Sequence, residues 1–224
     1  MSTFIGIPRM PTTRQVASTP LQQSVTWMAC SLLLDYPDGE TAEQIDAVRA
    51  ELGSLPDEVA GHLADFCDSA EGLGLRRLQE HYVETFDQRR RCALYLTYYS
   101  HGDTRDRGNA ILTFRHVMAS CGFESARDEL PDYLPVVLEF CALDEQGVGR
   151  DLLTANRQGL EVLRSALLSA NSPYAGLLQA LTLTLPQPDE AVIEGYRRLV
   201  AQGPPTELVG VGDLTATPFP VSER

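Results

Sequence analysis

The chain contains no lysine: its 18 basic side chains are all arginine, set against 31 carboxylates for a net charge of −13. Nucleic acid and anionic membrane surfaces require a concentrated basic face, so this balance excludes both and accommodates a basic partner. The missing lysine itself reads as composition bias. Also missing is any stretch near the roughly 20 apolar residues that span a bilayer, so no membrane insertion is expected. The longest early apolar run, 25–34, contains Thr26 and Ser31 and passes into Asp35 without a small-residue cleavage site, which argues against a signal peptide. Cysteines are few and single: Cys30, Cys67, Cys92, Cys121 and Cys141 have no CxxC spacing and fall mostly in apolar helical patterns. They read as reduced core thiols of a cytoplasmic protein.

Catalytic signatures are absent as well. His62, His81, His101 and His116 lack HExxH, paired ExxH or His/Cys spacing, so no metal is expected. Gly147-Val148-Gly149 follows a helix rather than a strand and reads as a helix-ending turn; there is neither a GxxxxGK[ST] loop nor a GxSxG elbow. Acid pairs such as Asp65 with Asp68 read as solvated faces. No cofactor and no enzymatic activity are expected.

What is present is helical periodicity. Residues 1–20 carry three prolines and no period, and 203–224 carry four, so both ends read as flexible segments around one helical domain, 21–202. Apolar stripes predict helices from about Gln22 to Asp35, from Thr41 (with Gln44 as a capping box) to Leu52, from Pro56 to Ala70 and from Leu75 to Asp87. Further helices are predicted over 103–122, 132–143, 149–170, 174–185 and 189–202. The run Cys92 to Tyr99 alternates like a strand but has no evident pairing partner, so a helical or irregular segment is preferred. About nine helices and no sheet predict an all-α single globular bundle.

The stretch Glu129 to Phe140 places Pro131 and Pro135 beside an almost wholly apolar helix, which is therefore central. Pro135 is tolerated only in a first turn, so Asp132 is the expected cap. Glu139, a carboxylate in this apolar run, needs an arginine partner or access to solvent. Tyr95, Tyr98 and Tyr99, at i, i+3 and i+4, would group three rings on a helix, suited to an interface or, as plainly, to a core. Arg105 and Arg107 oppose the dipole at a helix start. An internal partner among Asp87, Glu129, Asp132 and Glu139 is the favoured compensation, an external anion the alternative.

Four ordered motifs carry a resemblance: Tyr82-Val83-Glu84-Thr85-Phe86-Asp87; Leu94-Tyr95-Leu96-Thr97-Tyr98-Tyr99; Gly102-Asp103-Thr104-Arg105-Asp106-Arg107-Gly108; and Glu129-Leu130-Pro131-Asp132-Tyr133-Leu134-Pro135-Val136-Val137-Leu138-Glu139-Phe140. With Leu32 to Pro37 before them, they resemble the NarJ family of nitrate reductase molybdenum-cofactor assembly chaperones, within the TorD-like redox-enzyme maturation proteins. The resemblance covers about residues 25–170. It implies an all-helical cytoplasmic chaperone, monomeric or alternatively dimeric, that binds the N-terminal segment of the nitrate reductase alpha (catalytic) subunit until cofactor and iron-sulfur insertion. Tyr95, Tyr98, Tyr99, Tyr133, Leu134 and Phe140 are then expected to line or support a groove for an amphipathic client helix, with Asp132 or Glu139 meeting its positive charge. A chaperone for another molybdoenzyme, or a cofactor- or nucleotide-handling protein using Arg105 and Arg107, are the alternatives.

Overall fold

The structure, a computed structural model, describes residues 14–102 and 104–202; Asp103, residues 1–13 of the expected N-terminal arm and the whole expected C-terminal tail, 203–224, lie outside the described residues. Helix α1 (Pro20–Leu33) opens on a capping box, with Gln22 N–H donating to Thr19 Oγ1 at 3.2 Å and Thr19 N–H to Gln22 Oε1 at 2.9 Å. Within the expected N-terminal arm, Val16 N–H donates to the Leu183 carbonyl at 2.9 Å. Then follow α2 (Thr41–Glu51), α3 (Asp57–Leu73) and α4 (Leu75–Tyr82), the last running into a π-helical turn, Val83–Asp87. The Thr41–Gln44 box does not form. Glu40 is the cap residue and Thr41 Oγ1 instead accepts from Asp38 N–H at 2.8 Å, stitching the preceding turn.

Short α5 (Leu96–His101) leads through Gly102, in a positive-φ conformation at 56°, to α6 (Arg105–Ser120). The central α7 (Leu134–Leu143) follows, then α8 (Val148–Ala155), α9 (Arg157–Ser169), α10 (Tyr174–Leu183) and α11 (Glu190–Gln202). The described residues thus hold eleven α-helices and no strand, an all-α domain. The count exceeds nine for two reasons. Residues 96–101 form a helix of their own. The expected helix 149–170 breaks at Asn156, whose Nδ2 donates to the Leu152 carbonyl at 2.9 Å and competes with the helical ladder there.

Helix α7 is buried over most of its length, as its composition requires: every residue from Leu134 to Leu138, and Phe140 and Cys141, is buried, while Leu143 at its end is exposed. It lies along α1, where Ser31 Oγ donates to the Pro135 carbonyl at 2.7 Å. Helix α10 packs on α1, α3 and α9. Gly149 allows α8 to close on α7, since a Cβ there would sit 2.7 Å from Cys141 Cα. Gly147, with φ 85°, starts α8 rather than ending α7. One further feature had no sequence signature: α9 buries Arg157, Glu161 and Arg164 together, with Glu161 Oε1 2.8 Å from Arg157 Nε and Oε2 2.6 Å from Arg164 Nη2.

Candidate functional site

The run Ala93–Tyr95 is extended, and Tyr95 pairs with Tyr133 in an isolated antiparallel bridge. Leu134 N–H donates to the Leu94 carbonyl at 2.7 Å and Leu96 N–H to the Asp132 carbonyl at 3.0 Å. The partner missing from the sequence reading is therefore the Pro131–Leu134 stretch itself, too short to carry a strand period. The bridge also reassigns Asp132. It does not cap α7, whose cap residue Tyr133 makes no side-chain capping bond; the Asp132 Oδ2 accepts from Thr97 Oγ1 at 2.5 Å and Thr97 N–H at 3.2 Å, capping α5 from another part of the chain.

Above this cap lies Arg107, one turn into α6. Its Nε donates to Thr97 Oγ1 at 3.3 Å, and its guanidinium stands 5.7 Å from the Tyr95 ring centroid and 5.9 Å from that of Tyr98. The link from Arg107 to Asp132 thus runs through the Thr97 hydroxyl. Arg105 and Gly108 are exposed, as is Asp87.

The tyrosines expected to group on one helix do not all share a surface. Tyr95 precedes α5; Tyr98 is half-buried; Tyr99 is buried and donates to the carbonyls of Ala93 (2.8 Å) and Arg91 (3.1 Å). Tyr133, Leu134, Phe140 and Asp132 are buried too, so they stand behind the surface. What the bridge assembles instead is a row of rings. Tyr36, 48% exposed, meets Tyr82 edge-on at 5.4 Å; the Tyr82 and Tyr133 hydroxyls are 2.9 Å apart; Tyr133 lies 5.4 Å from Tyr95, and Arg107 connects Tyr95 to Tyr98. Phe86 and Tyr174 support Tyr82 from below.

Acids rim the row. Tyr95 donates to Glu129 at 3.3 Å and Tyr133 to Asp35 Oδ1 at 3.2 Å. Arg127 ion-pairs with both Asp35 and Glu139, so Glu139 has an arginine partner and also partial access to solvent. A surface depression of about 430 Å³ at the Tyr36 end is lined by Tyr36, Gln79, Val83 and Glu84. Another, of about 360 Å³, abuts the far end of α7 at Phe140 and Leu143.

Burial, then the Glu129 charge, pushes the Tyr95 phenol up to about 12; burial likewise raises Tyr82 and Tyr133. These three phenols are therefore neutral at neutral pH, and the row offers ring faces for contact. Burial also raises the Cys30 thiol to about 12 and Cys67 to about 11, which leaves them unreactive. Among the described residues no group of three or more His, Cys, Asp or Glu side chains is placed to hold a metal ion, and no helix is long and apolar enough to cross a membrane. Tyr36, Asp35 and Arg127 were not candidates from the sequence: Tyr36-Pro37-Asp38-Gly39 reads as a turn, and Arg127 sits where there is no period.

A family model described as the nitrate reductase delta subunit matches residues 52–180. The probable nitrate reductase molybdenum cofactor assembly chaperone NarJ of Bacillus subtilis (strain 168) is 33% identical over 166 residues, 73% of this chain and 89% of that protein. NarJ of Escherichia coli (strain K12), named a nitrate reductase molybdenum cofactor assembly chaperone, is 32% identical over 155 residues, 67% of this chain and 65% of its own length. The nitrate reductase-like protein NarX of Mycobacterium tuberculosis (strain ATCC 25618 / H37Rv) is 36% identical over 160 residues, 71% of this chain; the match spans 24% of that longer protein. By the matched family model and the Bacillus relative together, the chain belongs to the nitrate reductase delta subunit family, that of the NarJ chaperones.

Proposed function

We propose that the chain is a cytoplasmic assembly chaperone, not an enzyme, which binds the N-terminal segment of the apo alpha subunit of a respiratory nitrate reductase. It holds that subunit competent for molybdenum cofactor and iron-sulfur insertion before membrane docking. The observation that supports this reading is the aromatic row from Tyr36 to Tyr98, open to solvent at Tyr36, Tyr95 and Tyr98, buried between them at Tyr82 and Tyr133, and rimmed by carboxylates. An amphipathic helix with a basic end suits such a surface, its apolar face on the rings and its cations on the rim. Tyr36, Tyr95 and Tyr98 make contact; Tyr99, Asp132, Tyr133, Leu134 and Phe140 hold them from behind, and Glu129 and Glu139 take positive charge. The working unit is a monomer, needing neither nucleic acid nor a cofactor of its own.

Calorimetric titration with a synthetic peptide of the alpha-subunit N-terminus tests this. Tyr98→Ala and Tyr36→Ala each remove a ring without opening the core, and each is expected to weaken binding by about tenfold or more, the loss seen for a central aromatic contact. Unchanged affinity in both would remove the row from the site, and no binding by the native chain would remove the function.

A further inference from the structure

Between α6 and α7, residues 122–131 form no helix; Glu129 accepts from Tyr95, and two further side chains, Phe123 and Arg127, tie the segment to the chain after α1 and to α7. Phe123 packs on Phe140 with ring centroids 5.4 Å apart. Four residues on, Arg127 bridges carboxylates from two elements: Asp35, just after α1, and Glu139 in α7, whose Oε2 lies 3.2 Å from Nε. The second oxygen of Asp35 accepts from Tyr133, so this acidic pair adjoins the aromatic row directly beside Tyr36.

Arg127 fills the position incompletely. Glu139 Oε2 is buried yet takes no hydrogen bond among the described residues, because the Arg127 N–H is close without being aimed at it. Nor is the position sealed: the side chains of Arg127, Asp35 and Glu139 are 25%, 35% and 28% exposed. A guanidinium that displaces Arg127 can therefore reach the two carboxylates, and one arriving in a fork-to-fork orientation would give Glu139 Oε2 the aligned hydrogen bond that Arg127 Nε, 3.2 Å away, does not make.

We infer that Asp35 and Glu139 form a guanidinium-binding seat for the bound peptide, filled in the free chain by its own Arg127, so that peptide binding and closure of 122–131 compete. The inference rests on the peptide-binding reading above. It follows from three facts together: one arginine between two acids, a buried carboxylate oxygen that is ion-paired but has no hydrogen bond, and a segment whose Phe123 and Arg127 offer the ring-plus-cation chemistry expected of the client. Partly exposed ion pairs hold weakly, so exchanging one guanidinium for another is nearly neutral, and ring contacts along the row tip the balance toward the peptide.

The test titrates the same alpha-subunit peptide into the native chain, Arg127→Ala and Asp35→Asn/Glu139→Gln, with thermal melting as a folding control. Arg127→Ala is expected to bind about three- to tenfold tighter, the range set by two partly exposed ion pairs. In the double variant the free and the bound state both lose the pairing, so Arg127→Ala added to it should bring no further gain, and a peptide with citrulline for arginine should gain nothing from Arg127→Ala in the native chain. Hydrogen exchange on the native chain supplies a second readout, with faster exchange expected across 122–131 when the peptide is bound. Tight binding by the native chain without a gain in Arg127→Ala, or slower exchange over 122–131, would overturn the seat while leaving peptide binding intact. Failure of the native chain to bind would overturn both.

Discussion

The carboxylate of Asp132, wholly buried, joins the start of α5 to the approach of α7 through both bonds from Thr97, and Thr97 in turn positions Arg107 over the rings. Hydrogen bonds to such a group are each worth about 1.5–3 kcal/mol, because a buried donor left behind cannot be rehydrated. Asp132→Ala is therefore expected to lower the unfolding free energy by about 3 kcal/mol, measured by urea denaturation. Asp132→Asn keeps an acceptor oxygen at the same place, so its loss should be roughly half as large. Equal losses in the two variants would mean that packing, not the acceptor, holds the bridge. The same comparison separates support from contact: these variants should weaken peptide binding only in proportion to the unfolded fraction.

Among the elements, α9 carries the greatest electrostatic risk. Arg157, Glu161 and Arg164 are each at most 2% exposed, and desolvation lowers the Arg157 pKa even with Glu161 alongside. Removing Glu161 would leave two buried cations facing each other. Glu161→Ala is expected to cost about 3–5 kcal/mol, the usual range for breaking a buried pair from one side, with a matching fall in melting temperature. No periodicity rule would have found this trio, because its residues occupy positions that a stripe analysis assigns to an apolar face. The amphipathic helices were legible because burial of one face leaves a 3.6-residue period in the letters themselves. What depends on distant contacts was not: the break at Asn156, the Tyr95–Tyr133 bridge and the transfer of Asp132 from α7 to α5 are set by tertiary partners. The site divides in the same way. Tyr95, Tyr98, Glu129 and Glu139 could be picked from local sequence, whereas Tyr36 and Arg127 join it only through Tyr82 and Asp35.

For the molecule as a whole, the proposed peptide binding would draw on charge and shape at different stages. A net charge of −13 produces a field that attracts a basic peptide from beyond contact distance, while the aromatic row acts only on touching. Salt separates the two, since the screening length shrinks from about 10 Å at 0.1 M to about 3 Å at 1 M. The association rate of a basic-ended peptide is therefore expected to fall by about tenfold or more between low and high salt. Its dissociation rate should change by only about twofold, because ring contacts are insensitive to screening and the proposed seat at Asp35 and Glu139 would merely exchange one arginine for another. Stopped-flow measurements with a labelled peptide would resolve the two rates, and a peptide with glutamine in place of its basic residues should lose the salt dependence of association. A salt effect confined to dissociation would instead mean that the carboxylates hold the peptide rather than guide it, and that the rings contribute little to its retention.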